Sequence, residues 1–122
     1  MADAPQVDTD EGQARRGRLL FVDDEHNILS SLRRLFHAQG YEVYIAPSAA
    51  TGLQILGEQA IDIVVSDMRM PEVDGAEFLE QVADRWPDVV RILLTGYADL
   101  ESTVAAINKG QIYSYFHKPW EE

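Results

Sequence analysis

The sequence predicts an α/β domain built on a parallel β-sheet with helices on both faces. Three observations carry that expectation. Five short runs, at residues 19–22, 41–46, 61–66, 89–94 and 114–117, are rich in β-branched, leucine or aromatic residues, as buried strands are. Segments with helical spacing lie between them. Strand and helix alternate strictly, the pattern that makes neighbouring strands parallel and places helices across the sheet.

Each element has a local reason. The first run, Leu-Leu-Phe-Val, stops at Asp23 and Asp24. Residues 25–39 then place Ile28, Leu32, Leu35 and Phe36 on one face, and Gly40 is a helix stop. The second run ends at Ala46-Pro47. Ser48 is a candidate cap for a helix carrying Leu53, Ile55 and Leu56, with Gly57 near its end. The third run leads to Asp67. Residues 75–85 carry Phe78, Leu79 and Val82, and Pro87 closes that segment. The fourth run leads to Thr95-Gly96. Asp99 is placed to cap a helix over residues 100–109, with Gly110 as its stop. The fifth run leads to Lys118-Pro119.

Length and composition narrow the function classes. The chain has 122 residues, which suits one domain. Residues 1–17 are polar, acidic and without periodicity, and are expected to form a disordered acidic leader ahead of a domain over 18–122. No apolar run approaches the ~20 residues of a membrane span, and the N-terminus lacks a signal-peptide core. There is no cysteine, so no disulfide or thiolate metal site exists. A cytoplasmic protein with no membrane partner is the expectation. The formal net charge of −11 argues against direct nucleic-acid binding, which requires basic residues facing phosphates. Arg15, Arg16 and Arg18 are read as offsetting Asp3, Asp8, Asp10 and Glu11.

In open parallel sheets, ligands bind beyond the carboxyl ends of the strands. Four of the five runs deliver polar groups there: Asp23 with Asp24, Asp67, Thr95 and Lys118. Three carboxylates at one rim repel one another by about 4 kcal/mol per pair at ~4 Å and an effective dielectric of ~20. A cation removes that cost, and oxygen-only ligands favour Mg²⁺. Lys118 adds a second positive charge, so the site wants an anion with several oxygens, and phosphoryl fits. Thr95 offers such a group a hydroxyl, and Asp67 has the chemistry of a carboxylate nucleophile. Taken singly, an Asp-Asp pair, a Thr-Gly or a Lys-Pro is ordinary loop sequence. Four such groups at four strand ends are not.

These residues resemble the receiver domain of bacterial response regulators, the phosphoacceptor half of two-component signalling. The resemblance rests on Leu20-Phe-Val-Asp-Asp-Glu25, Val65-Ser-Asp-Met-Arg-Met-Pro-Glu-Val-Asp-Gly75, Leu94-Thr-Gly96 and Lys118-Pro119. It implies a flavodoxin-like, doubly wound five-stranded sheet of order 2-1-3-4-5. It implies that Asp67 accepts phosphoryl from a histidine kinase or phosphotransfer protein. Asp24, Asp67 and the main-chain carbonyl of Arg69 would hold Mg²⁺ directly, and Asp23 through water. Thr95 and Lys118 would contact the phosphoryl group, and the Tyr115 rotamer would follow Thr95. Such a domain is a signalling module rather than an enzyme, although it assists its own phosphotransfer and dephosphorylation.

The segment 95–100 together with Lys118-Pro-Trp120 resembles receivers coupled to HD-type phosphohydrolase or hydrogenase-type transcription regulator outputs, so an output domain C-terminal to this chain is expected. The family's fifth helix is absent from this sequence, which ends at Glu122. Loss of its cover over the face that includes Phe116 predicts either self-association through that face, making a homodimer one expected partner, or markedly lower stability than a version extended by about fifteen residues. Two other readings compete. A haloacid-dehalogenase-type phosphatase needs an acid two residues after its nucleophile, where this chain has Arg69. A degenerate receiver acting only as an interaction module would have lost part of the set Asp23, Asp24, Asp67, Thr95 and Lys118.

Overall fold

The computed structural model describes residues 16–95 and 114–117. Eight elements follow in chain order: β1 (Arg18–Val22), α1 (His26–Ala38), β2 (Glu42–Ala46), α2 (Ala49–Glu58), β3 (Ile63–Asp67), α3 (Gly75–Arg85), β4 (Val90–Thr95) and β5 (Ser114–His117). The strands form one sheet of order β2-β1-β3-β4-β5, and every neighbouring pair is parallel. Residues 1–15 of the acidic leader expected over 1–17, the helix expected at 100–109 and Lys118 lie outside the described residues. Arg16 and Gly17 are already tied to the body: the Arg16 N–H donates to the Gly40 carbonyl at 3.2 Å, and Glu42 N–H donates to the Gly17 carbonyl at 2.9 Å.

Period-two alternation along the strands splits the core into two layers. Leu20, Val22, Val64 and Leu93 face α2 and α3, where they meet Leu56, Phe78, Leu79 and Val82. Leu19 and Phe21 face α1, where they meet Leu29 and Leu32. Phe36 extends that second layer, its ring 5.4 Å from Phe21 and 5.8 Å from Tyr41. Burial of each such side chain is worth about 1.5–3 kcal/mol, so both helix layers are fastened mainly by apolar contact. Among the described residues, no helix is long and apolar enough to cross a membrane.

Helix ends use the residues whose chemistry suits them. Ser48 caps α2, its hydroxyl accepting from the Thr51 N–H at 3.3 Å. Asp74 caps α3, its carboxylate accepting from the Glu77 N–H at 2.9 Å. Gly40 follows α1 with φ of 97°, a conformation that costs glycine little, and its N–H donates to the His37 carbonyl at 3.1 Å.

Candidate functional site

The chain runs from β1 through α1 outward to β2, then crosses back through α2 to β3 on the other side of β1. The winding therefore reverses between β1 and β3, and a crevice opens there beyond the carboxyl ends of the strands. Register sets what stands beside it. Val22 of β1 pairs with Ser66 of β3, so Asp23 and Asp67, one step further on, arrive at the same level. Asp23 is anchored to the far strand as well, its N–H donating to the Ala46 carbonyl at 3.1 Å. Asp67 closes β3 opposite Leu94, and the next N–H, of Met68, donates to the Leu94 carbonyl at 2.9 Å.

Asp23, Asp24 and Asp67 come together as the sequence predicts: one carboxylate oxygen from each lies within 4.8 Å of the other two. Asp23 is 1% exposed and Asp67 6%, whereas Asp24 is open to solvent. Buried carboxylates are stable only when hydrogen-bonded or paired with positive charge. Asp23 accepts from the Glu25 N–H at 2.9 Å through Oδ1, a turn in which the side chain also fixes the entry into α1. Magnesium ligands at about 2.1 Å lie about 3 Å apart when adjacent and about 4.2 Å apart when opposite. An oxygen triangle within 4.8 Å fits that shell if one carboxylate reaches the ion through water. All-oxygen donors, two of them in a desolvated crevice, match a hard divalent cation.

The backbone beyond Asp67 is folded back on itself. Gly75 N–H donates to the Met68 carbonyl at 2.8 Å, which brings the first residue of α3 against the end of β3. A Cβ at Gly75 would overlap the Asp67 carbonyl oxygen and lie 2.9 Å from Met68 Cα. The Ser66 hydroxyl donates to the same Asp67 carbonyl at 3.0 Å. Between them, Glu72 has φ of 71°, and the Val73 N–H donates to the Pro71 carbonyl at 2.8 Å. That is a γ-turn centred on a glutamate, an uncommon and strained backbone state.

The remaining expected residues are placed less fully. Thr95 ends β4 and pairs in register with His117, while Tyr115 pairs with Leu93. Arg69 is exposed two residues after Asp67. Lys118 is outside the described residues. Two roles here were not read from the sequence: Asp74 caps α3, and Gly75 permits α3 to start against the Asp67 carbonyl. Asp74 spends its carboxylate on that cap.

Comparisons with known proteins bear on this arrangement. The family model for the response regulator receiver domain matches residues 19–122. The hydrogenase transcriptional regulatory protein HoxA of Cupriavidus necator is 38% identical over 106 residues, covering 87% of this chain and 22% of that protein. The chain thus spans about a fifth of the length of such curated relatives. Among solved structures, the signal receiver domain of an HD domain-containing protein from Pseudomonas fluorescens superposes with a TM-score of 0.83 at 38% identity, covering 88% of this chain and 86% of that one. A response regulator receiver domain protein from Clostridium thermocellum gives a TM-score of 0.80 at 34% identity, with coverage of 86% and 84%.

Proposed function

The chain belongs to the family of response regulator receiver domains, and from that premise we propose that Asp67 is the phosphoacceptor of a Mg²⁺-dependent signalling site. The observation that carries the proposal is the meeting of Asp23, Asp24 and Asp67 at the point where the sheet winding reverses.

Asp67 stands at the centre of that crevice and supplies the nucleophilic oxygen. A new O–P bond forms as the bond from phosphorus to the donor nitrogen of a phosphohistidine breaks, and the imidazole leaves with its electron pair. Asp24 and Asp67, with the Arg69 carbonyl, would hold the cation directly, and Asp23 through water. A cation held there would neutralise oxygen charge on the transferring group. Thr95 and Lys118 contact the phosphoryl oxygens, and Tyr115 follows Thr95 as the switch. The same residues assist loss of the phosphoryl group to water. A histidine kinase or phosphotransfer protein is the donor. An output domain, of HD or transcription-regulator type as in relatives of this chain, is the receiver of the switch. Arg69 occupies the position where a haloacid-dehalogenase phosphatase would carry its acid, which weighs against that chemistry.

The test is chemical. With Mg²⁺ and acetyl phosphate the chain gains one acid-labile group of about 80 Da, read by mass spectrometry. Asp67→Asn abolishes the gain. Undiminished modification of that variant would overturn the assignment.

A further inference from the structure

Helix α1 stands apart electrostatically. In a chain of net charge −11, its thirteen residues include no aspartate or glutamate. By contrast α2 carries Glu58, and α3 carries Glu77, Glu80 and Asp84. The outer face of α1 follows the spacing i, i+4, i+7, i+8, i+11 through His26, Ser30, Arg33, Arg34 and His37, which share one side of a helix. Arg33, Arg34 and His37 are exposed. Neither arginine forms an ion pair with a described carboxylate. This is a basic strip on an acidic protein.

The strip ends beside the point where the N-terminal segment joins the body. Arg16 is hydrogen-bonded to Gly40, two residues past the end of α1. Ahead of Arg16 lie Asp3, Asp8, Asp10 and Glu11, against a single base, Arg15. An extended chain covers about 3.3 Å per residue, so Glu11 and Asp8, five and eight residues before Arg16, reach roughly 16 and 26 Å. Thirteen helical residues measure about 20 Å. The acids are therefore tethered within range of Arg33, Arg34 and His37, at an effective concentration far above that of a free peptide. The other described helices carry carboxylates that repel them.

We propose that residues 1–15 are the occupant of this face: the acidic segment lies along the outer side of α1, held by its carboxylates on Arg33, Arg34 and His37. The contact is independent of the phosphoryl chemistry at Asp67.

Because the chain has no cysteine, a spin label attached at Thr9→Cys is site-specific. In the full chain at low salt, the label selectively reduces the NMR intensity of amides in residues 30–37. The loss disappears at about 1 M salt, where the Debye length is about 3 Å. It also disappears at low salt in the Arg33→Gln, Arg34→Gln double variant, whose exposed side chains can change without unfolding the domain. Broadening that persists in the double variant, or that falls elsewhere on the domain, overturns the proposal. So does broadening that appears only between chains, in a mixture of labelled unenriched protein and unlabelled ¹⁵N protein, because the occupant would then be a second copy.

Discussion

A methyl group on Gly75 has nowhere to go. Its carbon would overlap the Asp67 carbonyl oxygen, with Met68 Cα 2.9 Å away, and both neighbours are backbone, so no rotamer change relieves the clash. Gly75→Ala must push α3 away from the end of β3 or displace Asp67 itself. Overpacking of this kind costs about 1–3 kcal/mol. The expected outcome is a lower melting temperature together with slower phosphorylation from acetyl phosphate, since the acceptor residue moves with its carbonyl. Wild-type melting and wild-type labelling together would show that α3 has slack the structure does not suggest. This requirement was not legible from the sequence. The glycine there serves a tertiary approach and not a local φ, and no short-range pattern encodes the approach of one element's backbone to another's. Glu72 escaped for a related reason: its φ of 71° is imposed by the fold-back between Met68 and Gly75, and glutamate is not a residue that advertises such a turn. Asp23, Asp24 and Asp67 were legible because carboxylates directly after apolar runs are a local signal.

The elements show the same division between local and long-range causes. The third helix was expected over residues 75–85 and occupies Gly75–Arg85, because the apolar spacing of Phe78, Leu79 and Val82 and the closing Pro87 all lie within one segment. Strand starts were less legible. Ile61 and Tyr41 look like strand residues, yet β3 begins at Ile63 and β2 at Glu42. Ile61 is buried in the α2–α3 layer and Tyr41 packs in the α1 layer, so each serves the core from a loop without joining the ladder. Apolarity reports burial, and pairing is a separate matter decided by register. At the other strand ends Asp67 and Thr95 are the last residues of their strands, each one position beyond the apolar run. The cap on α3 offers a clean test. Asp74 accepts from Glu77 N–H at 2.9 Å and is not asked to bind metal, so Asp74→Ala is expected to cost about 1 kcal/mol of stability while leaving Mg²⁺ affinity near wild type. A titration showing metal affinity reduced as much as in an Asp24 variant would put Asp74 in the site after all.

At the scale of the molecule, the fold collects negative charge at one rim of a protein that already carries −11. The three converged carboxylates repel one another across that crevice. A divalent cation that needs three converged carboxylates binds the native chain and not the unfolded one. By mass action it stabilises by about 2.7 kcal/mol at one hundred times its dissociation constant. For a domain of this size each kcal/mol moves the melting temperature by roughly 4–8 °C, so Mg²⁺ is expected to raise it by ten degrees or more at saturation. Monovalent salt at equal ionic strength only screens and should give a much smaller rise. Asp24 is exposed, so Asp24→Asn disturbs little packing and removes one of three mutually repelling charges; it should melt at or above wild type without metal and lose most of the Mg²⁺ response. Calorimetry on the two proteins, with and without Mg²⁺, separates the cases. An equal metal-induced rise in Asp24→Asn would mean that the ion acts elsewhere on an acidic surface, and the crevice between β1 and β3 would then owe its stability to protein groups alone.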